Sequence, residues 1–329
     1  MGKIDPKKAA ADKAAKAAAA KAKTKNNKTK PEAGNASSGS RAVANRSKGS
    51  TALTTGDARS RMLAAASKTK GHGFEQRDLL IPFVVILQAK SQPCVKSSDK
   101  FVDGAAEGMI YNNANADLFD GEEGIIFVPT KYTRRWTQWK LRGKEGDGGG
   151  FVKDWGQDEK GAMALVVETD KKGRNLLAGG KEQIVESGDY FGFLVDPESG
   201  KADECIISMT SSNWKAAKRL NSLIQGWQEP KGEGESGTYN PEMYFRPYRL
   251  TTQPESNDDG DWMSWKVQVY KPADHPDDES FLTFDLPGGE DIVNRAEQFK
   301  DSINKGEVRM NYTDENRDAD RAAQGDGKF

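Results

Sequence analysis

The sequence predicts a β-rich α+β fold. The expected body is an OB-like barrel or small β-sandwich with two helices, flanked by a disordered basic N-terminal arm and a short disordered C-terminal tail. Three observations predict it. About eight short apolar or alternating runs are separated by Gly, Pro and Asn/Asp turn signals, a pattern of barrels and sandwiches rather than of βαβ units. Only two stretches of the body switch to a helical period. Charge is split along the chain: residues 1–70 hold 17 Lys and Arg against 4 Asp and Glu, and the remainder holds 32 against 46, so a +13 arm joins a −14 body. The expected bounds are 1–73 for the arm, 74–306 for the folded domain and 307–329 for the tail.

In the arm, Ala9 to Lys23 is an Ala/Lys tract with helix propensity but no apolar face to bury. Thr24 to Ser60 is too polar to offset the entropy cost of folding. An arm of this charge suits nonspecific phosphate binding; the plainer reading is a solubilising or linker segment. In the body, Leu79 to Leu87 reads as a buried strand, with Pro82 at its start or on an edge. Gly108 to Asn112 is a short strand and Ile125 to Leu141 the central one. Met163 to Thr169 is another, followed by the turn Asp170 to Arg174 with Gly173 in the left-handed position. Tyr190 to Val195 and Glu204 to Met209 form a hairpin across Asp196 to Asp203.

Thr210, Ser211 and Ser212 are N-cap candidates for a helix over Asn213 to Gln225, ended by Gly226. Trp214, Ala217, Leu220, Asn221 and Ile224 make its packing side. Lys215, Lys218 and Arg219 fall on another side, solvated unless it flanks a groove. Met243 to Thr252 and Trp262 to Tyr270 form the clearest hairpin, turning at Asp259-Gly260. A strand at Phe281 to Asp285, a turn at Pro287 to Gly289 and a helix from Glu290 to Asn304 end the fold; Ile292, Ala296, Phe299 and Ile303 stripe that helix.

The stretch IIFVPTKYTRRWTQWKLRGKEGDGGGF, Ile125 to Phe151, interleaves cations with large aromatics. In a regular strand Tyr132, Arg134, Trp136, Gln138, Lys140 and Arg142 share one face. Rings for stacking and cations for phosphates are the two ingredients of a single-stranded nucleic-acid platform. On this reading Tyr132, Trp136 and Trp139 stack bases, and Arg134, Arg135, Lys140 and Arg142 bind phosphates. The loop Gly143 to Gly150 closes over the strand, and Lys215, Lys218 and Arg219 add phosphate contacts. The competing reading is ordinary packing: Trp and Tyr are common strand residues, and Arg beside Trp is a frequent surface pair.

No catalytic constellation competes. The two histidines, His72 and His275, fall in expected loops, and Cys94 and Cys205 have no CxxC, HxH or HExxH context for zinc. There is no GxSxG elbow. Gly143 to Gly150 and the Gly179-Gly180-Lys181 stretch both miss the phosphate-loop register, and Asn257 to Asp261 misses EF-hand spacing. The expectation is therefore a non-enzyme without cofactor or metal. Sparse cysteines suit a reducing compartment. No apolar run is long enough to span a bilayer, and no apolar segment follows the N-terminal lysines. A cytoplasmic location without membrane association is expected, and a homo-oligomer is left open.

The tail carries Asp314, Glu315, Asp318, Asp320 and Asp326 against Arg317, Arg321 and Lys328, and ends in Phe329. The residues Ile81-Pro82, Leu87-Gln88, Gly108-Met109-Ile110, Ile126 to Pro129, Trp139 and Gly149-Gly150-Phe151, with the later stretches Ser208 to Lys218 and Tyr248 to Trp262, carry a resemblance. Over roughly residues 76–285 the chain resembles a group of tailed-phage proteins, either uncharacterised or described as phage single-stranded-DNA-binding proteins. The resemblance implies an OB-fold, single-stranded DNA as partner in phage replication or recombination, and action in the host cytoplasm during infection. It also implies an acidic tail whose final Phe329 docks replication proteins; Lys328 departs from the acidic tip of that pattern. The alternative is a virion structural or genome-associated assembly protein.

Overall fold

The computed structural model describes residues 80–141, 150–171, 173–232, 235–257, 260–273, 280–308, 310 and 312. The chain divides into the units Met1–Lys68 and Thr69–Phe329, and only the second contains described residues. The basic arm, Arg142 with glycines 143–149, both histidines and the tail with Phe329 lie outside the described residues.

The first strands are β1 (Val84–Ile86), β2 (Ile110–Asn112), β3 (Leu118–Phe119) and the 16-residue β4 (Ile125–Lys140). Next come β5 (Gly150–Gly156), the short helix α1 (Glu159–Met163), β6 (Val166–Thr169), β7 (Asn175–Leu177), β8 (Glu182–Val195) and β9 (Ala202–Thr210). Helix α2 (Trp214–Gly226) precedes a small hairpin, β10 (Glu229–Pro230) and β11 (Thr238–Tyr239). The long hairpin β12 (Tyr248–Asn257) and β13 (Gly260–Val269) and helix α3 (Gly289–Asn304) complete the fold.

β4 is the spine. Its Ile125–Phe127 end pairs with β12, its Trp136–Lys140 end pairs with β5, and β8 runs antiparallel beside nearly all of it. β9 lies on the far side of β8, so the main path runs β13-β12-β4-β8-β9, antiparallel throughout. This makes a curled half-barrel. Its open side is bridged by the small sheet of β1, β2 and β3. Phe83 pairs parallel with Ile206 of β9. At the other end, the Gln88 amide donates to the Met263 carbonyl at 2.8 Å and accepts from the Met263 N–H at 2.9 Å.

The apolar start of β4 is buried on both faces, which explains a continuous rather than alternating run. Ile125 and Phe127 join an inner core with Tyr190, Ile207, Leu250 and the α2 residues Ala217 and Leu220. Ile126 and Val128 join an outer core with Phe191, Phe193 and the α3 residues Ile292, Ala296 and Phe299. Each fully buried Phe, Ile or Leu contributes about 1.5–3 kcal/mol, so the two helices are held by these faces. The stripe expected on the last helix is therefore the stripe that packs. Glu290 and Asp291 in its first turn also favour the helix dipole.

Pro129 lies inside a central strand, where proline is tolerated only at a bulge. The β4–β8 register does shift there, between Pro129 and Lys131. Opposite stands Gly192, where a Cβ would come within 2.3 Å of the Val128 carbonyl. The pair bends β4, and from Lys131 to Lys140 the pairing with β8 is regular again.

The structure is β-rich with few helices, as expected, and it corrects several elements. Among the described residues there are thirteen strands and three α-helices, not eight and two. Met163 ends α1 instead of opening a strand. Phe281 to Asp285 is no strand: Thr283–Asp285 is a 3-10 turn whose Asp285 carboxylate accepts from the Leu282 N–H at 2.7 Å. The hairpin expected from Met243 begins at Tyr248 and extends through residues read as loop, because Gln253 to Asn257 pair with Gly260 to Ser264. Gly173 does adopt the left-handed conformation in its turn, with φ of 75°.

Candidate nucleic-acid interface

The regular pairing from Lys131 to Lys140 puts Tyr132, Arg134, Trp136, Gln138 and Lys140 on one face of β4, as the alternation predicts. What occupies that face differs from the expectation. Trp136 is only 5% exposed and packs with Ala162 of α1, Leu177 of β7 and Ile184 of β8. The connection from β4 to β8 folds back over it, so Trp136 is a core ring and not a stacking platform. Trp139, 4% exposed, lies on the opposite face, edge-on to Phe151, with its indole N–H donating to the Thr137 hydroxyl at 2.8 Å. It too is corrected from free ring to packed ring.

Tyr132 is half-buried, its ring 4.9 Å from that of Tyr190, and burial pushes its phenol above the ordinary value. Gly188 makes this possible, since a Cβ there would stand 3.1 Å from the Tyr132 ring. Arg134 is an exposed cation in the middle of the strand. Its guanidinium lies 5.8 Å from the Trp136 ring and 5.7 Å from the Trp214 ring, and it pairs with Glu186. Arg135 faces the other way, pairing with Asp154 and lying 3.7 Å from the buried Asp189. Burial raises the Asp189 carboxyl above the usual range; the Ser208 hydroxyl at 2.6 Å and the Arg135 charge pull it back. Lys140 is exposed at the end of the strand. The β4 arginines, read from sequence as phosphate ligands, thus already carry carboxylate partners.

The helix cations differ. Lys215, Lys218 and Arg219 do flank a groove, of about 520 Å³, between α2 and the β12–β13 hairpin. Lys266 of β13 lines its other side. One carboxylate, Glu255, enters the groove and lies 3.7 Å from Lys215. Among the described residues, no carboxylate is within 4.0 Å of Lys218, Arg219 or Lys266. Lys266 escaped the sequence reading, yet its signal was present: buried Trp265 and Val267 on either side force it outward. Trp214 was read as a packing residue; it is half-buried, standing first on α2 and beside Arg134. Tyr132 and Arg134 thus lie beside Trp214 at the start of α2, Lys215, Lys218, Arg219 and Lys266 line the groove, and Trp136, Trp139 and Arg135 stand in packed or paired positions.

A comparison with protein families decides the affiliation: residues 51–309 match the model for the Pam3 phage gp34-like protein. The chain belongs to that family. The match spans the half-barrel and all three described helices, and makes this a phage protein family. No curated protein and no solved structure matches the chain. Among the described residues, no helix is long and apolar enough to cross a membrane.

Proposed function

We propose that this protein binds single-stranded nucleic acid, DNA in the phage setting, as a non-catalytic factor in replication or recombination. One observation carries the reading: the α2–β13 groove, where Lys215, Lys218, Arg219 and Lys266 face, among the described residues, a single carboxylate. The net charge of −14 over residues 71–329 repels a polyanion elsewhere, so a slender single strand following one cationic groove suits this body better than a duplex. The strand order β13-β12-β4-β8-β9, with a helix between β9 and β12, supports an OB-type reading of the half-barrel. OB-folds are recurrent binders of oligonucleotides. Half-exposed Trp214, beside Arg134 and one helical turn before Lys218, offers a ring edge on the same helix as the groove cations.

The test is fluorescence anisotropy with a labelled oligo(dT) across a salt series. Four neutralised phosphates predict a log–log slope of about −3 for a single strand. Changing Lys218 and Arg219 together to Glu should weaken binding at least about tenfold and flatten the slope. Binding that is indifferent both to salt and to this double change would reject the groove.

A second reading, an assembly role in the virion, draws on a different observation. Met163 at the end of α1, Leu165 between the elements and Val167 on β6 are exposed apolar side chains beside an open strand edge, Val167 at 66%. Such an edge invites pairing with another chain. Stoichiometric recovery of the protein from purified particles, without affinity for oligo(dT), would favour it.

A further inference from the structure

On the opposite face of β4 from the groove, the chain fills a ring-shaped slot with its own tyrosine. After α3 ends at Asn304, the segment through Val308 and Met310 packs on the outer core and delivers Tyr312. The Tyr312 ring lies nearly parallel to Phe151, at 12° and 5.3 Å between centroids. Trp139 meets it edge-on at 6.3 Å and Phe83 is 5.7 Å away. Offset stacking at this distance is the geometry by which a planar ring of any kind is held.

The floor of the slot is polar and only partly satisfied. The Tyr312 hydroxyl donates to the Asp189 Oδ2 at 3.3 Å. Asp189 is fully buried, with Ser208 on its other oxygen. The Arg135 Nε and the Thr133 hydroxyl are buried there without a hydrogen-bond partner. The guanidinium otherwise pairs with Asp154 and lies beside Asp189, so the Arg135 Nε and the Thr133 hydroxyl are the capacity that one phenol does not fill. A phenol offers one donor. A carboxylate, a guanidinium and a hydroxyl side by side match a planar ring whose edge presents both donors and acceptors.

We propose that this slot is a nucleobase site, with Tyr312 as its resident occupant in cis. The inference rests on the single-strand reading above and deepens it. A base from a bound strand takes the place of Tyr312 between Phe151 and Trp139, and its edge meets Asp189 and Arg135. Phe151, 39% exposed even with Tyr312 present, gives the entering ring its first contact. The groove lies between α2 and the β12–β13 hairpin and the slot on the Arg135 face of β4, so a nucleic-acid strand using both crosses from one side of the sheet to the other.

The experiment uses the full chain, Tyr312→Ala, and Tyr312→Ala with Phe151→Ala. Removing the resident ring should tighten oligo(dT) binding about tenfold, the range expected for one base–aromatic stack. Removing Phe151 as well should erase the gain. Thymidine monophosphate at millimolar concentration should raise the Tm of Tyr312→Ala and leave that of the wild type unmoved. If the wild type binds oligo(dT) but folded Tyr312→Ala binds no tighter and thymidine monophosphate fails to raise its Tm, Tyr312 is a packing residue and the slot proposal falls. If no variant binds oligo(dT), yet the nucleotide still raises the Tm of Tyr312→Ala, the slot stands and the groove reading fails.

Discussion

The cations of β4 and those of α2 are similar in number and opposite in use. Arg134 and Arg135 each pair with a carboxylate on a neighbouring strand, Glu186 for the first and Asp154 for the second. Lys218 and Arg219 sit on a helix face where, among the described residues lining the groove, the one carboxylate is Glu255, which pairs with Lys215. A strand in a sheet has neighbours less than 5 Å away on both sides, so its charges are met by cross-strand partners. A surface helix presents one side to nothing but solvent. Charge interleaved with aromatics is therefore weaker evidence of a binding face on a central strand than a cationic stripe is on a surface helix.

The largest expected effect tests the strand side. Arg135→Ala leaves Asp189 buried without its cation and should cost about 3–5 kcal/mol in chemical denaturation. A loss below about 1 kcal/mol would mean that Arg135 is as dispensable to folding as a surface charge, and the contrast would collapse. Trp136→Ala should cost a similar amount, about 3–5 kcal/mol, because it empties a packed site. Its affinity for oligo(dT), measured well below its Tm, should stay close to wild type; a large loss of affinity in folded protein would return Trp136 to the binding face.

On the helix side, Lys218→Ala with Arg219→Ala should leave stability within about 0.5 kcal/mol, as for surface positions without special contacts, while weakening the oligonucleotide. Arg134→Ala should cost less than about 1 kcal/mol, since the pair is well exposed, with Arg134 at 55%. The smallest effect is a pH trend. Because the Asp189 carboxyl is raised by burial, folding favours its protonated form. Its contribution is complete below the ordinary carboxylate value and is lost as pH rises through the folded one. The unfolding free energy of the wild type relative to Asp189→Asn should therefore fall with rising pH and then level off. A difference that grows with pH would mean that the Arg135 ion pair outweighs burial.

Much of the fold was legible because its signals are local. The Tyr190–Val195 and Glu204–Met209 runs, with Asp-Pro and Ser-Gly between them, are strands of a hairpin, and the Ile292/Ala296/Phe299 stripe is the packing face of α3. The regular alternation of Tyr132 and Arg134 was also readable. What was not readable is what lands on each face. Trp136 is covered by residues 26 to 48 positions later, Ala162 through Ile184, and nothing in its own neighbourhood announces them. Phe281 to Asp285 has the composition of a strand, but its run is short and Asp285 offers the backbone a closer partner than any neighbouring strand. Lys215, Lys218 and Arg219 were visible as a face; the groove beneath them needed the β12–β13 hairpin, which joins the helix only in three dimensions.

The Gln88–Met263 amide contact spans 175 residues of sequence. During synthesis at about 5–20 residues per second, the segment holding β1 leaves the ribosome roughly 9–35 s before its partner strand exists. Until β9 emerges, Phe83 to Leu87, an apolar run buried in the finished protein, has neither β9 nor β13 to cover it, and it lacks β13 to the end of that interval. The seam that completes the half-barrel is thus also the place where a nascent chain is longest exposed to chaperones and to its own copies.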